Sequence, residues 1–461
     1  MVAYEIVEKN ETPVCPTCKS TDVVLRGKRY NKGSTRQLLQ CSDCNKVFTE
    51  GPFARLRQPQ LVNEAKDLHE KGLSTLQIQS ALQTQYGRKP ARGSIMQWLQ
   101  TISGNKQHSD KKVVKEMLKN KVILITGGTG TLGRALVKEI LLHQPKVVRI
   151  LDLDETEHFE LEHDFKLTMP WVIEKDLVRF FVGDIKEKER VIRAMEGCHI
   201  VFHLAALKHV NSCEYNPFEA VKTNVLGTQN VIDAALTNNV EKVIFTSSDK
   251  AAYPHNTMGA TKLLAERLIT AANYAKGSRK TVFASVRFGN VMGSRGSVIP
   301  LFKKQIEQGG PVTITDETMT RFMMSQTDAL RLVLKSAAIA HGGEIFILKM
   351  PIVKLGDLAT LLIEHLAPKE GKIPQEIKKK TTGLLAGETH YEELMTEEEA
   401  SRAVETKEMF VIPPLLAGTT LGIPVVKYAG KPASMKHYTS RSAPPLTQEE
   451  LKLLLQKENL I

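Results

Sequence analysis

The sequence predicts an α/β protein built on a doubly wound parallel Rossmann sheet with a smaller C-terminal substrate-binding cap, preceded by a zinc ribbon and a small helical domain. Three observations support this: apolar runs alternate with helical patterns from about residue 122 to 350, a glycine-rich turn follows the first run, and two Cys-x-x-Cys pairs lie near the start. A chain of 461 residues also exceeds what one hydrophobic core usually organises. The predicted domains are a zinc ribbon at 1–53, a helix-turn-helix-like helical domain at 54–104, a linker at 105–118, a Rossmann domain at 119–290, and at 291–461 a substrate-binding cap with returning Rossmann elements and a C-terminal tail.

The parallel sheet is predicted from the apolar runs VILIT, VVRILD, IVFHLAAL, KVIFTSS and VFASVRF. Such unbroken runs are typical of strands that are buried on both faces. Helical stretches such as GRALVKEILLH and TQNVIDAALTNN lie between them. This order predicts parallel strands joined by helical crossovers.

Four clustered cysteines predict a structural zinc site. Cys15 and Cys18 form one Cys-x-x-Cys pair, and Cys41 and Cys44 form the second, with a basic stretch between them that is typical of a hairpin. Each pair places two thiolates on one tight turn, and four thiolates complete a tetrahedral Zn²⁺ site. The alternative is four reduced structural cysteines, which would leave this short segment with too little core to fold.

The pattern of residues 54–104 predicts the order helix, turn, helix, basic loop and helix. This order resembles the helix-turn-helix of regulatory and transposase-like proteins. Through Lys119 the chain has 20 Lys and Arg against 11 Asp and Glu, about +9 of the total charge of +12. This excess favours a polyanionic partner, so DNA binding through residues 1–105 is one hypothesis. A protein-interaction or dimerisation module is the other.

The glycine-rich turn TGGTGTLG after the first strand predicts a dinucleotide site, because glycines permit close approach of the backbone to a pyrophosphate at a helix N-terminus. Asp152, at the end of the second strand, can accept hydrogen bonds from ribose hydroxyls and would repel a 2′-phosphate, which favours NAD over NADP. The alternative is that Asp152 merely caps the next helix. The predicted cofactor-binding residues are Gly127, Thr129, Gly130, Thr131, Leu132, Gly133, Asp152, Asp184, Ile185, Ala205, Ala206, Lys208, Asn224 and Lys262.

The stretch from VIFTSSDK to MGATKLLAERL occupies the place of the catalytic segment of an extended short-chain dehydrogenase. That class has Ser or Thr after the strand and Tyr-x-x-x-Lys on the next helix. Here the equivalent residues are Ser248, Met258 and Lys262. Met258 and Lys262 share a helix face, and Lys262 can hold the nicotinamide ribose, but a methionine cannot exchange a proton.

The motifs SSDKAAYP…MGATK, AALKHVNSCEYNPFEAVKTNVLGT, VRFGNVMGSRGSVIPLF and ITDETMTRFMMS resemble the UDP-N-acetylglucosamine 4,6-dehydratases of capsule, flagellin and glycan biosynthesis. The resemblance covers roughly residues 118–455, and one branch of that family also carries Met in place of Tyr. It implies a lyase in which NAD takes a hydride from C4, water leaves across C5 and C6, and the hydride returns to C6. The NAD is therefore expected to stay tightly bound and to be recycled.

The resemblance also implies roles for single residues. Asp249 would protonate the departing C6 hydroxyl and Lys250 would remove the C5 proton, which requires an acid and a base with separated pKa values. The group that deprotonates the C4 hydroxyl is either Asp249 through water or Lys262. The alternative for Asp249 and Lys250 is a surface ion pair. Where the family reads Arg-Pro-Gly-Glu, this chain has Leu385 in place of the arginine, so one diphosphate contact is missing. The implied substrate-binding residues are Lys208, His209, Asn290, Val298, Lys303, Arg321 and Glu388.

The leading hypothesis is a nucleotide-sugar 4,6-dehydratase that acts on UDP-N-acetylglucosamine or a related UDP-sugar. The alternative is a DNA-binding regulator whose degenerate dehydrogenase domain senses NAD or a nucleotide sugar. An epimerase is disfavoured, because epimerases of this fold normally rely on the tyrosine. The start MVAYEIVEKNE lacks the pattern of a signal peptide, and no run of eighteen apolar residues occurs. We therefore expect a cytoplasmic protein without a membrane segment. We also expect a homo-oligomer.

Overall fold

The computed structural model describes residues 23–31, 34–44, 47–49, 65, 68, 75–86, 112–384, 386–419 and 426–461. The chain divides into two compact units, Met1–His108 and Ser109–Ile461, and each is described by itself.

The N-terminal unit contains a three-stranded antiparallel sheet of β1 (Val23–Asn31), β2 (Ser34–Cys41) and β3 (Val47–Thr49). Val23 lies opposite Cys41 in the β1–β2 ladder. The hairpin predicted between the two cysteine pairs is therefore confirmed.

Two of the four predicted zinc ligands lie at the end of β2. Cys41 ends β2, and Cys44 lies in the turn that follows it. Cys15 and Cys18 lie outside the described residues, within which no group of three or more His, Cys, Asp or Glu side chains converges. The four-cysteine zinc site stays a prediction.

The described helix of the N-terminal unit is α1 (Thr75–Tyr86). Ile78 and Leu82, one turn apart, are buried, and further upstream Ala65 and Leu68 are also helical. The third helix predicted for this region lies outside the described residues, so the helix-turn-helix and its DNA binding stay predictions.

The C-terminal unit is organised by a ten-stranded sheet with smaller sheets beside it. Its strands, in chain order, are β4 (Val122–Thr126), β5 (Val147–Asp152), β6 (Val178–Val182), β7 (Ile200–His203), β8 (Lys242–Thr246), β9 (Val282–Arg287), β10 (Asn290–Val291), β11 (Val312–Ile314), β12 (Thr320–Met324), β13 (Ile345–Leu348), β14 (Ile352–Lys354), β15 (Lys379–Thr381), β16 (Glu393–Met395), β17 (Val404–Glu405), β18 (Met409–Ile412), β19 (Lys431–Pro432) and β20 (Tyr438–Thr439).

Seven strands of the large sheet are parallel, in the order β6-β5-β4-β7-β8-β9-β13. Strands β18, β17 and β19 continue the sheet beyond β13 in antiparallel pairing. The order changes direction between β4 and β7, as in dinucleotide-binding Rossmann sheets. The predicted doubly wound parallel sheet is confirmed.

Helices connect the strands of this unit, and those between the parallel strands cover both faces of the large sheet. They are α2 (Thr131–Leu141), α3 (Glu155–Thr168), α4 (Pro170–Glu174), α5 (Lys188–Met195), α6 (Val210–Tyr215), α7 (Pro217–Ala220), α8 (Gly227–Thr237), α9 (Thr257–Ala275), α10 (Val298–Glu307), α11 (Gln326–Ile339), α12 (Leu355–Leu366), α13 (Glu397–Arg402) and α14 (Gln448–Lys457). Within the described ranges, no helix is both long enough and apolar enough to cross a membrane.

Alternate residues of the central strand enter separate cores, because successive side chains of a strand point to opposite faces. Ile123 and Ile125 pack in the core that contains α2, α3 and α11. Val122 and Leu124 pack in the core that contains α5, α8 and α9. The unbroken apolar character of VILIT follows from this two-sided burial.

The cap is built from β10, β12 and β14, the β11–β15 and β16–β20 pairs, and α10, α12, α13 and α14. Helices α10, α12 and α14 pack with β11 in a third core, whereas β16, β20 and α13 pack in the core that contains α2. Arg287 of β9 links it to the sheet. This fully buried guanidinium lies 2.6 Å from Glu266 Oε2 of α9 and 2.9 Å from Glu399 Oε2 of α13. The ion pairs hold α13 of the cap against the large sheet.

Candidate active site

The turn between β4 and α2 is shaped for close backbone approach. Gly127 has φ +70°, and a Cβ atom there would lie 2.7 Å from Ala205 N. At Gly133 a Cβ atom would lie 2.3 Å from the Gly127 oxygen. Helix α2 begins at Thr131 without a side-chain cap from Gly130. Its first N–H groups are therefore available to an anion.

Asp152 lies at the carboxyl end of β5, beside this turn. Its Oδ2 atom accepts hydrogen bonds from Thr129 N (3.1 Å) and Thr129 Oγ1 (2.6 Å), and its Oδ1 atom accepts one from Leu153 N (2.8 Å). Asp154 is the residue that caps α3, through Glu157 N. The interpretation of Asp152 as a helix cap is therefore wrong.

Four other predicted cofactor residues follow the neighbouring parallel strands. After β6, Asp184 accepts a hydrogen bond from a backbone N–H two residues on, and Ile185 is buried. After β7 come Ala205 and Ala206, and Ala205 N donates to Thr126 Oγ1 at 3.3 Å. The carboxyl ends of these strands meet at the edge of the sheet that carries the glycine turn.

Asn224 contacts protein groups with its whole side chain. It lies in the π-helical turn Val221–Leu226, accepts from Leu207 N (2.8 Å), and donates to Leu207 O (3.0 Å) and Thr261 Oγ1 (3.0 Å). These bonds fix the loop after β7 against α9. Asn224 thus positions this loop, and π-helical turns are frequent at functional sites.

A cavity of about 770 Å³ opens between the carboxyl edge of the sheet and the cap. The predicted residues that line it are Lys208, His209, Asp249, Lys250, Asn290, Val298, Arg321 and Glu388. Lys303 lies on α10 but does not line the cavity. Residues that no sequence pattern had indicated also line it, among them Tyr253, His255, Tyr391, Glu392 and Arg441.

Asp249 and Lys250 form a tight turn directly after β8. Lys250 Nζ lies 3.1 Å from Asp249 Oδ1, which also accepts a hydrogen bond from Ser248 Oγ at 2.7 Å. Helix α9 packs on this turn through Gly259, where a Cβ atom would lie 2.3 Å from the Lys250 oxygen. The Asp249 side chain is only 2% exposed, so the alternative of a surface ion pair is wrong.

Glu392, which precedes β16, completes the charged cluster. Its Oε1 atom lies 3.0 Å from Lys250 Nζ and 3.3 Å from Arg321 Nε, and its Oε2 atom accepts from Asn290 Nδ2 at 3.0 Å. The Glu392 backbone N–H donates to Ser440 Oγ at 2.9 Å. Several glutamates follow one another in this part of the sequence, and no spacing rule distinguishes this one.

Asp249, Lys250 and Glu392 shift one another's pKa values. Burial and the neighbouring Asp249 carboxylate raise the pKa of Glu392 to about 7. Burial acts to raise the pKa of Asp249, but Lys250 outweighs it and holds this pKa below its usual value. Burial likewise opposes the charge of Lys250, but the Asp249 and Glu392 carboxylates raise its pKa. The resting state is therefore an Asp249–Lys250 ion pair beside a carboxyl group that titrates near neutral pH.

Met258 and Lys262 lie behind this cluster on α9. Met258 is buried against Cys213 and Ala220 in a small apolar cluster. Lys262 Nζ donates to Thr246 O at 3.0 Å, and burial lowers the pKa of Lys262 to about 8. A lysine with this pKa is partly neutral near physiological pH.

The cations on the cavity wall differ in what they contact. Arg321 is directed to Glu392, and Lys208 Nζ donates to Arg295 O at 2.7 Å. The guanidinium of Arg441 is exposed and stacks on the Tyr391 ring, with 4.6 Å between Cζ and the ring centroid. Within the described part of the chain no carboxylate pairs with it.

The Rossmann sheet, the glycine turn and the Asp–Lys turn before a helix that carries Lys262 define an extended short-chain dehydrogenase/reductase fold. A family model described as "Polysaccharide biosynthesis protein" matches residues 123–414. The chain belongs to this family.

Three relatives show what the chain is similar to. An uncharacterized membrane protein of Methanocaldococcus jannaschii is 50% identical over 75% of this chain and 98% of its own. A UDP-glucose 4-epimerase of Rickettsia rickettsii is 39% identical over 74% and 96%. A UDP-N-acetylglucosamine 4,6-dehydratase (inverting) of Campylobacter jejuni is 42% identical over 65% and 84%.

A solved structure supports the same fold. The X-ray structure of Pen from Bacillus thuringiensis is 47% identical, with a TM-score of 0.69 over 75% of this chain and 99% of that one.

Proposed function

We propose that this chain is an NAD-dependent UDP-sugar 4,6-dehydratase, with UDP-N-acetylglucosamine or a related sugar as substrate. The observation that carries the proposal is the Asp249–Lys250 pair on the cavity wall, beside a dinucleotide-type turn. An elimination of water needs an acid and a base that act at neighbouring carbons of the substrate. The Asp249 and Lys250 side chains are in contact, so they can reach neighbouring atoms. Similarity to a 4,6-dehydratase supports the choice.

The residues around the glycine turn fit NAD. Gly127 and Gly133 keep the backbone open, the uncapped start of α2 suits a pyrophosphate, and Asp152 suits the adenosine ribose. When bound, NAD supplies a reversible hydride acceptor. Lys262 would hold the nicotinamide ribose.

The protein groups would share the proton transfers. Asp249 would protonate the C6 hydroxyl as it leaves, and Lys250 would take the C5 proton. Of the two candidates for the C4 hydroxyl proton, Lys262 is favoured over Asp249. The pKa of Lys262 is about 8, whereas that of Asp249 is below its usual value, so the neutral amine is much the stronger base.

Arg441 would replace the diphosphate contact that is missing at Leu385. An exposed guanidinium on the cavity wall, with no carboxylate paired to it among the described residues, suits two phosphate groups. Lys208 would add a second positive charge. Glu388 is the proposed contact for the nucleoside ribose.

For the N-terminal unit we propose one structural zinc ion on Cys15, Cys18, Cys41 and Cys44. The β1–β2 hairpin, which leads to Cys41, supports it.

The test is incubation of the NAD-loaded protein with UDP-N-acetylglucosamine, followed by NMR for a 4-keto-6-deoxy product. Lys250→Met should lose turnover and C5 exchange with deuterated solvent while it keeps NAD, because removal of a general base costs about 10² to 10⁴ in rate. Lys436→Met, at an exposed position away from the cavity, is the control and should keep full turnover.

A second candidate is a 4-epimerase, which the Rickettsia relative favours. The same NMR experiment separates the two. A C4-inverted sugar that keeps its C6 hydroxyl would identify an epimerase and would contradict the dehydratase.

A further inference from the structure

The turn between β10 and α10 has the sequence GSRGS, from Gly293 to Ser297. Gly293 and Gly296 both have φ +71°, a conformation that glycine adopts without strain. Ser297 N donates to Ser294 O at 3.0 Å and closes the turn. Arg295 lies between the two glycines, and its side chain is exposed. We refer to these five residues as the strap.

The strap is bonded to three separate loops at the carboxyl edge of the sheet. Arg295 N donates to Thr131 Oγ1 at 3.1 Å, where α2 begins. The Arg295 guanidinium pairs with Glu157, in the first turn of α3. Lys208 Nζ, in the loop after β7, donates to Arg295 O at 2.7 Å. These loops follow β4, β5 and β7, which are neighbours in the sheet, so the strap spans the ends of three adjacent strands.

The same three loops carry residues that are proposed or predicted to bind NAD. Thr131 opens the helix whose start suits a pyrophosphate, Asp152 precedes α3, and Lys208 is among the predicted cofactor contacts. Gly296 and Ser297 of the strap line the cavity. The strap therefore lies between the cavity and the glycine turn, where it would cover a dinucleotide bound along the three loops.

Glu157 is held in place independently of Arg295. Its carboxylate also pairs with Arg134 of α2, and Arg134 Nε donates to Thr129 O at 2.8 Å. The Glu157 side chain is 17% exposed, whereas that of Arg295 is 59% exposed. A carboxylate that is already ordered loses little conformational entropy when a second cation pairs with it. Arg295 can therefore leave and return while Glu157 stays fixed.

We propose that Arg295 is a latch residue, whose ion pair with Glu157 holds the strap closed over bound NAD, so that opening of the strap limits how fast NAD enters and leaves. This inference rests on the proposed NAD-dependent function. A reaction that returns its hydride within one turnover does not require release of NAD between cycles, so slow exchange suits it. Arg295 acts through the strap and is a positioning residue.

A latch and a direct contact with NAD have different kinetic consequences. A strap that must open for both entry and exit slows both steps, so a weaker latch raises both rates and changes the dissociation constant little. Loss of a direct contact with a ligand acts mainly on dissociation, so the dissociation rate and the dissociation constant rise together. Measurement of both quantities distinguishes the two roles.

The experiment loads the full-length protein with radiolabelled NAD and follows its release during a chase with excess unlabelled NAD. Equilibrium competition gives the dissociation constant. Arg295→Met and Glu157→Gln should each raise the release rate about two- to fivefold, the ratio that corresponds to an exposed ion pair. The dissociation constant should stay within about twofold of the wild-type value. The double variant should release NAD no faster than the faster single variant, because the two side chains form one interaction.

The two single variants control for charge, since one removes a positive charge and the other removes a negative charge. A long-range effect of charge on the NAD phosphates would move their release rates in opposite directions, whereas a broken latch raises both. Arg331→Met is a further control, because Arg331 pairs with Glu408 at a half-exposed position outside the strap. It should keep the wild-type release rate.

Three results would overturn the proposal. Wild-type release rates in both Arg295→Met and Glu157→Gln would show that the ion pair does not restrain the strap. A release rate and a dissociation constant that rise by the same factor would make Arg295 a direct NAD contact. Opposite shifts in the two variants would leave only a long-range charge effect.

The exchange measurement uses no nucleotide sugar, so it separates this proposal from the proposed function. If wild type makes no 4-keto-6-deoxy product but both variants exchange NAD faster, the dehydratase assignment fails and the latch stands. If wild type makes the product but the variants exchange NAD at the wild-type rate, the latch fails and the dehydratase stands. A wild-type protein that binds no NAD would refute both.

Discussion

Arg287 and Glu399 lie 112 residues apart in the chain and form a buried ion pair, with Nη1 2.9 Å from Oε2. Glu266 holds the other side of the same guanidinium. The pair joins the last part of the Rossmann sheet to the cap, so the cavity between them depends on it. A buried charge that loses its partner is costly, whereas the intact pair adds little.

Arg287→Met should therefore lower the free energy of unfolding by about 3 to 5 kcal/mol, because two carboxylates stay buried without a counter-ion. Urea denaturation measures the change. Arg331→Met is the control, since Arg331 pairs with Glu408 at a half-exposed position and should cost about 0 to 1 kcal/mol. An equal decrease in the free energy of unfolding for the two variants would show that the buried ion pairs stabilise the fold no more than the half-exposed one.

Asp152→Asn should weaken NAD binding and reduce the preference for NAD over NADP, because the carboxylate accepts from ribose hydroxyls and repels a 2′-phosphate. Fluorescence titration with both cofactors measures the two affinities. Asp154→Asn, two residues on, changes a helix cap of α3 and should leave the cofactor preference intact. A wild-type protein that binds NAD and NADP equally well would refute the assigned role of Asp152.

Arg441→Gln should raise the KM for a UDP-sugar about 10- to 100-fold, the value of a charge-assisted hydrogen bond of about 1.5 to 3 kcal/mol. NAD affinity should not change, because Arg441 lies on the cap side of the cavity. Initial-rate kinetics check the first statement and NAD titration the second. Lys436→Gln, an exposed change in the same segment, should leave KM unaltered, and an equal effect of both variants would indicate a general loss of positive charge.

Purified full-length protein should contain one zinc ion per chain, and Cys41→Ser should lower this content because four thiolates complete a structural site. Elemental analysis measures it. Cys198→Ser changes a buried cysteine of the other unit and should retain the metal. Protein produced with adequate zinc but free of metal would contradict the zinc ribbon.

Local sequence patterns were enough to predict the parallel sheet and the glycine turn, and the family resemblance pointed to Asp249 and Lys250 after a buried strand. Unbroken apolar runs such as VILIT reflect burial on two faces, and the turn chemistry follows the strands directly along the chain. These features depend on residues close in sequence, so the residues alone determine them. The same holds for the hairpin of β1 and β2.

The tertiary structure alone decided which distant side chains meet at the cavity. Glu392 is 142 residues from Lys250 and bonds to it, and Arg441 reaches the cavity wall from the last part of the chain. It also placed Lys303 outside the lining of the cavity. These outcomes depend on how the cap returns to the sheet, and cap packing is a property of side chains brought together across the whole fold. No local sequence pattern encodes this packing. The contact of Glu392 with Lys250 could therefore not be predicted from the sequence.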